Sequence, residues 1–277
     1  MNELNAIKNN DFKFNKNYGQ NFIFDKNLLE AIVKDSNISE QDEVLEIGAG
    51  AGTLTKVIAS HAKKVVSYEI DTNLKPILEE NLNNIKNSSI IFLDALKTSL
   101  TDIESNFDDD YCIVANIPYY ITTPLIFKFV GKTNRVKSMN IMVQKEVAQR
   151  LVATPKQSDF GSISVILDFY ADVKILRQVP KHMFTPSPKV DSAVVQINFV
   201  KNKYSCNSEV FEKVVKSAFS NKRKMLVNNL SKDFSLSKQE IIDILSSLNI
   251  DQNIRGDALC TNDFVKISQI ISINNKK

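Results

Sequence analysis

Five residues constrain this chain more than any others: Gly48-Ala49-Gly50-Ala51-Gly52. They follow the short apolar run Glu43 to Ile47, which reads as a buried strand, and they lead into a helix expected from Thr53. Glycines at alternate positions let the backbone turn tightly and approach a ligand without Cβ clashes. The helix beyond them offers amide N–H groups and a positive dipole end to a carboxylate or phosphate. The dinucleotide fingerprint G-x-G-x-x-G is not matched, because the third glycine comes two residues on rather than three.

Strand, glycine turn and helix in that order imply a mostly parallel, doubly wound α/β sheet, and later strand ends fit it. The run Val65 to Tyr68 ends at Glu69, which lies 21 residues beyond Gly48. An acid about 20 residues past the glycine turn is placed to accept from both hydroxyls of a ribose. Asp71 has the simpler task of capping a helix expected over Thr72 to Asn83. A third strand, Ile90 to Leu93, leads to Asp94 and Ala95. There the carboxylate suits an adenine amino group and the Ala95 N–H suits a ring nitrogen. Gly48, Glu69 and Asp94 at three successive strand ends point to a cofactor that carries a nucleoside.

The fourth strand, Tyr111 to Ala115, delivers Asn116-Ile117-Pro118-Tyr119-Tyr120 to the same edge. The Asn116 side-chain oxygen and the Ile117 carbonyl suit the two hydrogens of an exocyclic base amine and aim its lone pair. Pro118 fixes the turn and turns Ile117 away from helix. The Tyr119 ring gives an extruded base a face to stack on. Asn116, Pro118 and Tyr119 are therefore the expected catalytic residues.

Asn116 to Tyr119 is similar to the N-(I/L)-P-Y motif of amino methyltransferases, and E-I-G-A-G-A-G resembles their E-x-G-x-G-x-G. The wider context resembles the ribosomal RNA adenine N6-dimethyltransferases, which use S-adenosyl-L-methionine. Gly19-Gln20-Asn21-Phe22 is similar to the segment that opens these enzymes and closes over the cofactor, which implies cofactor contacts for Asn21 and Ile23. Phe22 and Phe24 serve equally well as hydrophobic anchors. Phe184 to Val194 resembles the family's F-x-P-x-P-x-V-x-S-x-V signature. It offers Phe184 either as the second face of a base sandwich with Tyr119 or as a loop anchor in the core. Tyr120 departs from the family, where many members have Asn. The resemblance runs from Lys16 to about Leu230 and is weaker beyond.

It implies a Rossmann-like class I methyltransferase over residues 1–200 and a small all-helical RNA-binding domain over 201–277. The charge distribution agrees, with 13 Lys and Arg against 8 Asp and Glu in residues 201–277, and 22 against 24 before them. A basic tail suits a polyanion partner. Its run Lys222-Arg223-Lys224, at the expected start of a helix, is the candidate phosphate grip, although solvated helix residues would read the same way. The partner implied is small-subunit ribosomal RNA within a pre-assembled subunit, bound by a monomer. Two other readings of the same fold are a large-subunit methyltransferase of the antibiotic-resistance type and a non-catalytic assembly or transcription factor.

Elsewhere the chain gives less. Ser162 to Tyr170 is apolar and fits strand or helix, and Val179 to Lys189 is too proline-rich for either. Asp191 to Phe199 alternates as a strand, and Lys201 to Cys206 reads as a linker. With 43% hydrophobic residues in 277, the chain can bury a sizeable core. No run approaches the roughly 18 apolar residues of a membrane span, and the polar stretch Met1 to Lys16 is unlike a secretory signal. Three cysteines, far apart and odd in number, fit a reducing cytoplasm and no metal site.

Overall fold

The computed structural model describes Phe12, Phe14 and residues 19–274. Apart from those two phenylalanines, the opening stretch read above as unlike a signal lies outside the described residues. The strands are β1 (Phe22–Ile23), β2 (Glu43–Ile47), β3 (Lys64–Tyr68), β4 (Ser88–Ile91), β5 (Tyr111–Asn116), β6 (Val136–Gln144), β7 (Ala171–Val179), β8 (Phe184–Thr185) and β9 (Ser192–Phe199). The helices are α1 (Lys26–Asp35), α2 (Thr53–His61), α3 (Lys75–Leu82), α4 (Leu100–Glu104), α5 (Thr122–Phe129), α6 (Lys145–Leu151), α7 (Ser162–Tyr170), α8 (Ser208–Ser220), α9 (Leu226–Phe234), α10 (Lys238–Ser247) and α11 (Thr261–Asn274). Among the described residues no helix is long and apolar enough to cross a membrane.

Seven strands form one sheet in the order β4-β3-β2-β5-β6-β9-β7. The pairs from β4 to β6 are parallel, and β9 runs antiparallel to β6. Strand order therefore runs outward from β2 to β4 on one side and from β5 to β6 on the other. The reversal lies between β2 and β5, and a doubly wound sheet opens its ligand crevice at that point, outside the carboxyl ends. β2 is buried along its whole length, its two glutamates included, and β5 along all but its last residue, as strands covered on both faces are. A second ladder has only two rungs, pairing Phe22 with Thr185 and Ile23 with Phe184.

The chain divides into two compact units, Met1–Ala148 with Lys174–Phe199, and Gln149–Val173 with Val200–Lys277. A single division at residue 200 thus differs from the packing in residues 149–173, which group with the tail helices. The reason lies in α7, where Ile163, Val165, Ile166, Leu167 and Phe169 are all buried. A helix apolar on every side needs cover on every side. Within this second unit Phe169 stacks on Phe211 of α8 with centroids 4.0 Å apart.

Local structure differs from the sequence-based expectations in several places, one of them the short strand β8 inside the proline-rich stretch 179–189. The ambiguous stretch 162–170 is helix, with Gly161 as its N-cap. β7 was not expected, because it closes the sheet's edge with Asp172, Lys174 and Ile175 exposed and so lacks an apolar stripe. β4 begins and ends two residues earlier than expected, and the Leu93 N–H returns to the Ile91 carbonyl, leaving Leu93 exposed. Lys222 to Lys224 form a turn, since Asn221 accepts the Arg223 N–H on its side chain and the Lys224 N–H on its carbonyl. The helix begins only at Leu226. A side-chain acceptor competing for backbone N–H groups is how asparagine breaks a helix start.

Candidate active site

A cleft of about 240 Å³ opens at the β2/β5 reversal, lined by Asn21, Ile23, Gly48, Glu69, Asp94, Ala95, Asn116, Pro118 and Tyr119 among others. All belong to the first unit. Ends of four strands separated widely in sequence thus converge on one space.

The glycine turn is held open by its neighbour strand. Gly48 has φ +83°, and its N–H donates to the Tyr68 carbonyl at 2.8 Å. A Cβ there would lie 3.4 Å from the Asn116 carbonyl oxygen, and one on Gly50 would lie 3.1 Å from the Phe22 ring. Both positions hold positive φ, which disfavours any side chain, and at Gly50 the Phe22 ring crowds a Cβ as well. Thr53 and Leu54 bring the first turn of α2 to the cleft wall.

Glu69 is 6% exposed. Its Oε2 accepts the Gly50 N–H at 2.9 Å and its Oε1 accepts the Asp71 N–H at 2.8 Å. Burial pushes its pKa above the usual carboxylate value, against the pull of these amides. With the Ile70 N–H also against it, the carboxylate meets three amides, and its remaining acceptor capacity is open to a cleft hydroxyl. Asp71 acts as a cap, its Oδ1 accepting from Asn73 N–H, but it caps the 3-10 turn Thr72–Leu74, after which α3 starts at Lys75. Three residues beyond the end of β4, Asp94 Oδ1 accepts the Leu96 N–H at 2.9 Å, and Ala95 is buried beside it.

At β5 the Asn116 Nδ2 donates to the Asn21 carbonyl at 3.1 Å. That bond fixes the amide and leaves Oδ1 as its free acceptor. Ile117 is buried, while Tyr119 is half-buried and Tyr120 is 64% exposed. The Tyr119 hydroxyl lies 2.6 Å from Ser192 Oγ, and Ser192 is fully buried on β9. Burial raises the phenol's pKa, so the hydroxyl stays neutral and its ring is pinned from one end.

Phe184 does not join this group. It is 4% exposed and packs with Ile23, Leu29 and Ile32 in the core, so the base sandwich with Tyr119 is replaced by the anchoring alternative. Pairing with Ile23 across the short ladder accounts for its inward course. In the second unit Lys222 spends its Nζ on the Phe160 carbonyl at 2.9 Å, so of the basic run Arg223 and Lys224 keep the more available charges. Ser192 was missed by the sequence reading, although it is the serine of the F-x-P-x-P-x-V-x-S-x-V signature. Among the described residues no group of three or more His, Cys, Asp or Glu side chains could hold a metal.

Known proteins resemble this chain over nearly its full length. The family model described as ribosomal RNA adenine dimethylase matches residues 11–272. A ribosomal RNA small subunit methyltransferase A from Clostridioides difficile is 39% identical over 271 residues, covering 96% of this chain and 94% of its own. Among solved structures, a dimethyladenosine transferase from Plasmodium falciparum has a TM-score of 0.79 at 27% identity, covering 92% of this chain and 98% of its own. The 23S rRNA methyltransferase ErmE has a TM-score of 0.71 at 21% identity, covering 91% of this chain and 100% of its own, a likeness of fold.

Proposed function

The chain belongs to the ribosomal RNA adenine dimethylase family, and on that premise we propose how its strand ends methylate N6 of adenines in small-subunit ribosomal RNA to give N6,N6-dimethyladenosine. The near-full-length likeness to small-subunit enzymes favours that substrate over large-subunit RNA, to whose enzyme only the fold is shared. When bound, S-adenosylmethionine supplies a methyl group already activated by its sulfonium. The residues fit it, because Gly48 and Gly50 present bare backbone to the cleft and Glu69 lines it with acceptor capacity left over from its amides.

Glu69 holds the ribose hydroxyls, Asp94 and Ala95 hold the adenine edge, and Asn21 and Ile23 cover the cofactor from the N-terminal segment. Asn116 Oδ1 and the Ile117 carbonyl accept the target amine's hydrogens, which turns its lone pair toward the methyl. Tyr119, pinned by Ser192, stacks against the extruded base. Alignment of this kind accounts for much of the rate, and no strong base is needed because the amine becomes acidic once alkylated. The observation that carries this reading is that Gly48, just past the end of β2, and Asn116, the last residue of β5, line one cleft at the reversal point between those two strands.

The wider setting proposed is a monomer in the cytoplasm acting on an assembled small subunit, with the second unit gripping RNA backbone. Methyl transfer measured on unmethylated small subunits and on naked RNA, with modified bases mapped, tests the reading. Product other than N6-methylated adenine overturns it, and equal transfer to naked RNA removes the assembled-subunit clause.

Two expected results belong here. Glu69→Ala should weaken S-adenosylmethionine binding by roughly 1.5–3 kcal/mol, the scale of hydrogen bonds to a charged group. Calorimetry showing wild-type affinity in a folded variant would remove Glu69 from the site. Arg223→Ala with Lys224→Ala should weaken RNA binding and flatten the slope of log K against log salt by about 0.7–0.9 for each phosphate no longer gripped. An unchanged slope means these residues do not touch phosphate.

A further inference from the structure

The segment running from Gln20 to Ile23 forms part of the cleft wall, and each of its residues is tied down. Ile23 is buried and its carbonyl accepts from Thr53 Oγ1 at 2.9 Å. Phe22 lies over Gly50 and pairs with Thr185 in the short ladder. The Asn21 carbonyl accepts from Asn116 Nδ2. The remaining tie is of a different kind: Gln20 Nε2 donates to Asp71 Oδ2 at 2.7 Å, between residues 51 apart in sequence.

We propose that Gln20 is a positioning residue for the cofactor, acting as the latch that holds this strap closed across the cleft by bonding Asp71. The inference rests on the S-adenosylmethionine reading of the cleft. Asp71 is 2% exposed, and its Oδ1 is taken by the Asn73 N–H and side-chain amide. Gln20 is what Oδ2 receives. A buried carboxylate oxygen deprived of its donor is costly, so the closed strap is strongly preferred. The same Asp71 donates its N–H to Glu69 Oε1, so the latch is anchored to the turn that orients the ribose carboxylate. Closure of the strap and readiness of Glu69 are thereby joined at one residue.

This arrangement matters because dimethylation needs two methyl transfers to one nitrogen. Each consumes a cofactor, so spent cofactor must leave between them. A strap anchored firmly at Ile23 and latched at Gln20 opens at the Gln20 end without disturbing the core anchor. Release of spent cofactor is then coupled to the hydrogen bond from Gln20 to Asp71.

The test uses the full chain with Gln20→Met, which keeps length and removes the donor, and Gln20→Lys, which restores a donor toward Asp71. Release of S-adenosylhomocysteine is followed by stopped flow, with KM and kcat for methyl transfer to small subunits and ligand-free unfolding midpoints. The Met variant is expected to release roughly tenfold faster or more and to raise the cofactor KM while kcat at saturation is kept, with Lys returning release toward the wild-type rate. Wild-type release by the Met variant, or failure of Lys to restore it, overturns the latch. Loss of cofactor binding by the wild-type protein itself would instead overturn the reading beneath it.

Discussion

Replacing Asn116 by Ala is expected to lower kcat on the order of 10²–10³-fold at saturating cofactor and RNA, the scale for losing one preorganised polar group at a transition state. The argument starts from the amide's two ends. Nδ2 is committed to the Asn21 carbonyl, so Oδ1 has a fixed direction before substrate arrives. An acceptor that is already aimed costs no reorganisation as the amine's lone pair develops toward the methyl, and its loss is felt in turnover more than in ground-state affinity. Asn116→Asp separates the two ends, since it keeps an acceptor for the amine and loses the donor to Asn21. That variant should retain more turnover than Ala while raising the cofactor KM, because a carboxylate facing the Asn21 carbonyl loosens the strap. Single-turnover rates on small subunits, with cofactor affinity from calorimetry, separate these effects. An Ala variant with wild-type turnover would sink the role given to Asn116.

The residues of this site were legible to different degrees, for physical reasons. Asn116 ends β5, Gly48 and Glu69 directly follow β2 and β3, and Asp94 lies three residues past β4, and a doubly wound sheet brings strand carboxyl ends to one edge whatever their separation in sequence. Short apolar runs and their punctuation were therefore enough. What sequence periodicity does not carry is direction within the core. Phe184 is written in a motif beside the site, yet its two-residue pairing with β1 turns it inward, and nothing in the run of prolines announces that pairing. Ser192 and Gln20 act by reaching across 73 and 51 residues, contacts set by tertiary placement alone. β7 and α7 failed for opposite reasons, the one too exposed to show a stripe and the other too buried to show a polar face.

The second unit illustrates the same limit in charge. The basic run at Lys222 looks uniform in sequence, but Lys222 is bonded to the Phe160 carbonyl and packs beside Phe219, so its removal tests folding as well as binding. Arg223 and Lys224 are exposed in the turn and are the cleaner probes.

The largest stability effect is expected beneath the glycine turn, at Glu46. This residue is fully buried in the middle of β2, and its Oε2 accepts from Thr55 Oγ1 and Ser67 Oγ, each at 2.6 Å. Burial pushes its pKa from the ordinary 4.5 up to about 8, offset in part by those two hydroxyls and reinforced by the charge of Glu69. Near neutrality the folded protein thus holds a proton that the unfolded chain has released. The contribution is fully present below about pH 4.5, declines as pH rises and is lost above about 8, because the folded state binds the extra proton between those limits. Glu46→Gln carries a neutral isostere of the protonated acid at every pH. Between pH 5 and pH 8.5 the variant should therefore gain on the wild type by on the order of 4 kcal/mol. Urea unfolding of both proteins from pH 5 to 8.5 measures the difference directly, since every other titrating group is common to them. Parallel profiles would mean Glu46 is ionised in the fold. Cofactor affinity should survive the change near neutral pH, where the Gln side chain carries the same charge as the protonated Glu46 it replaces.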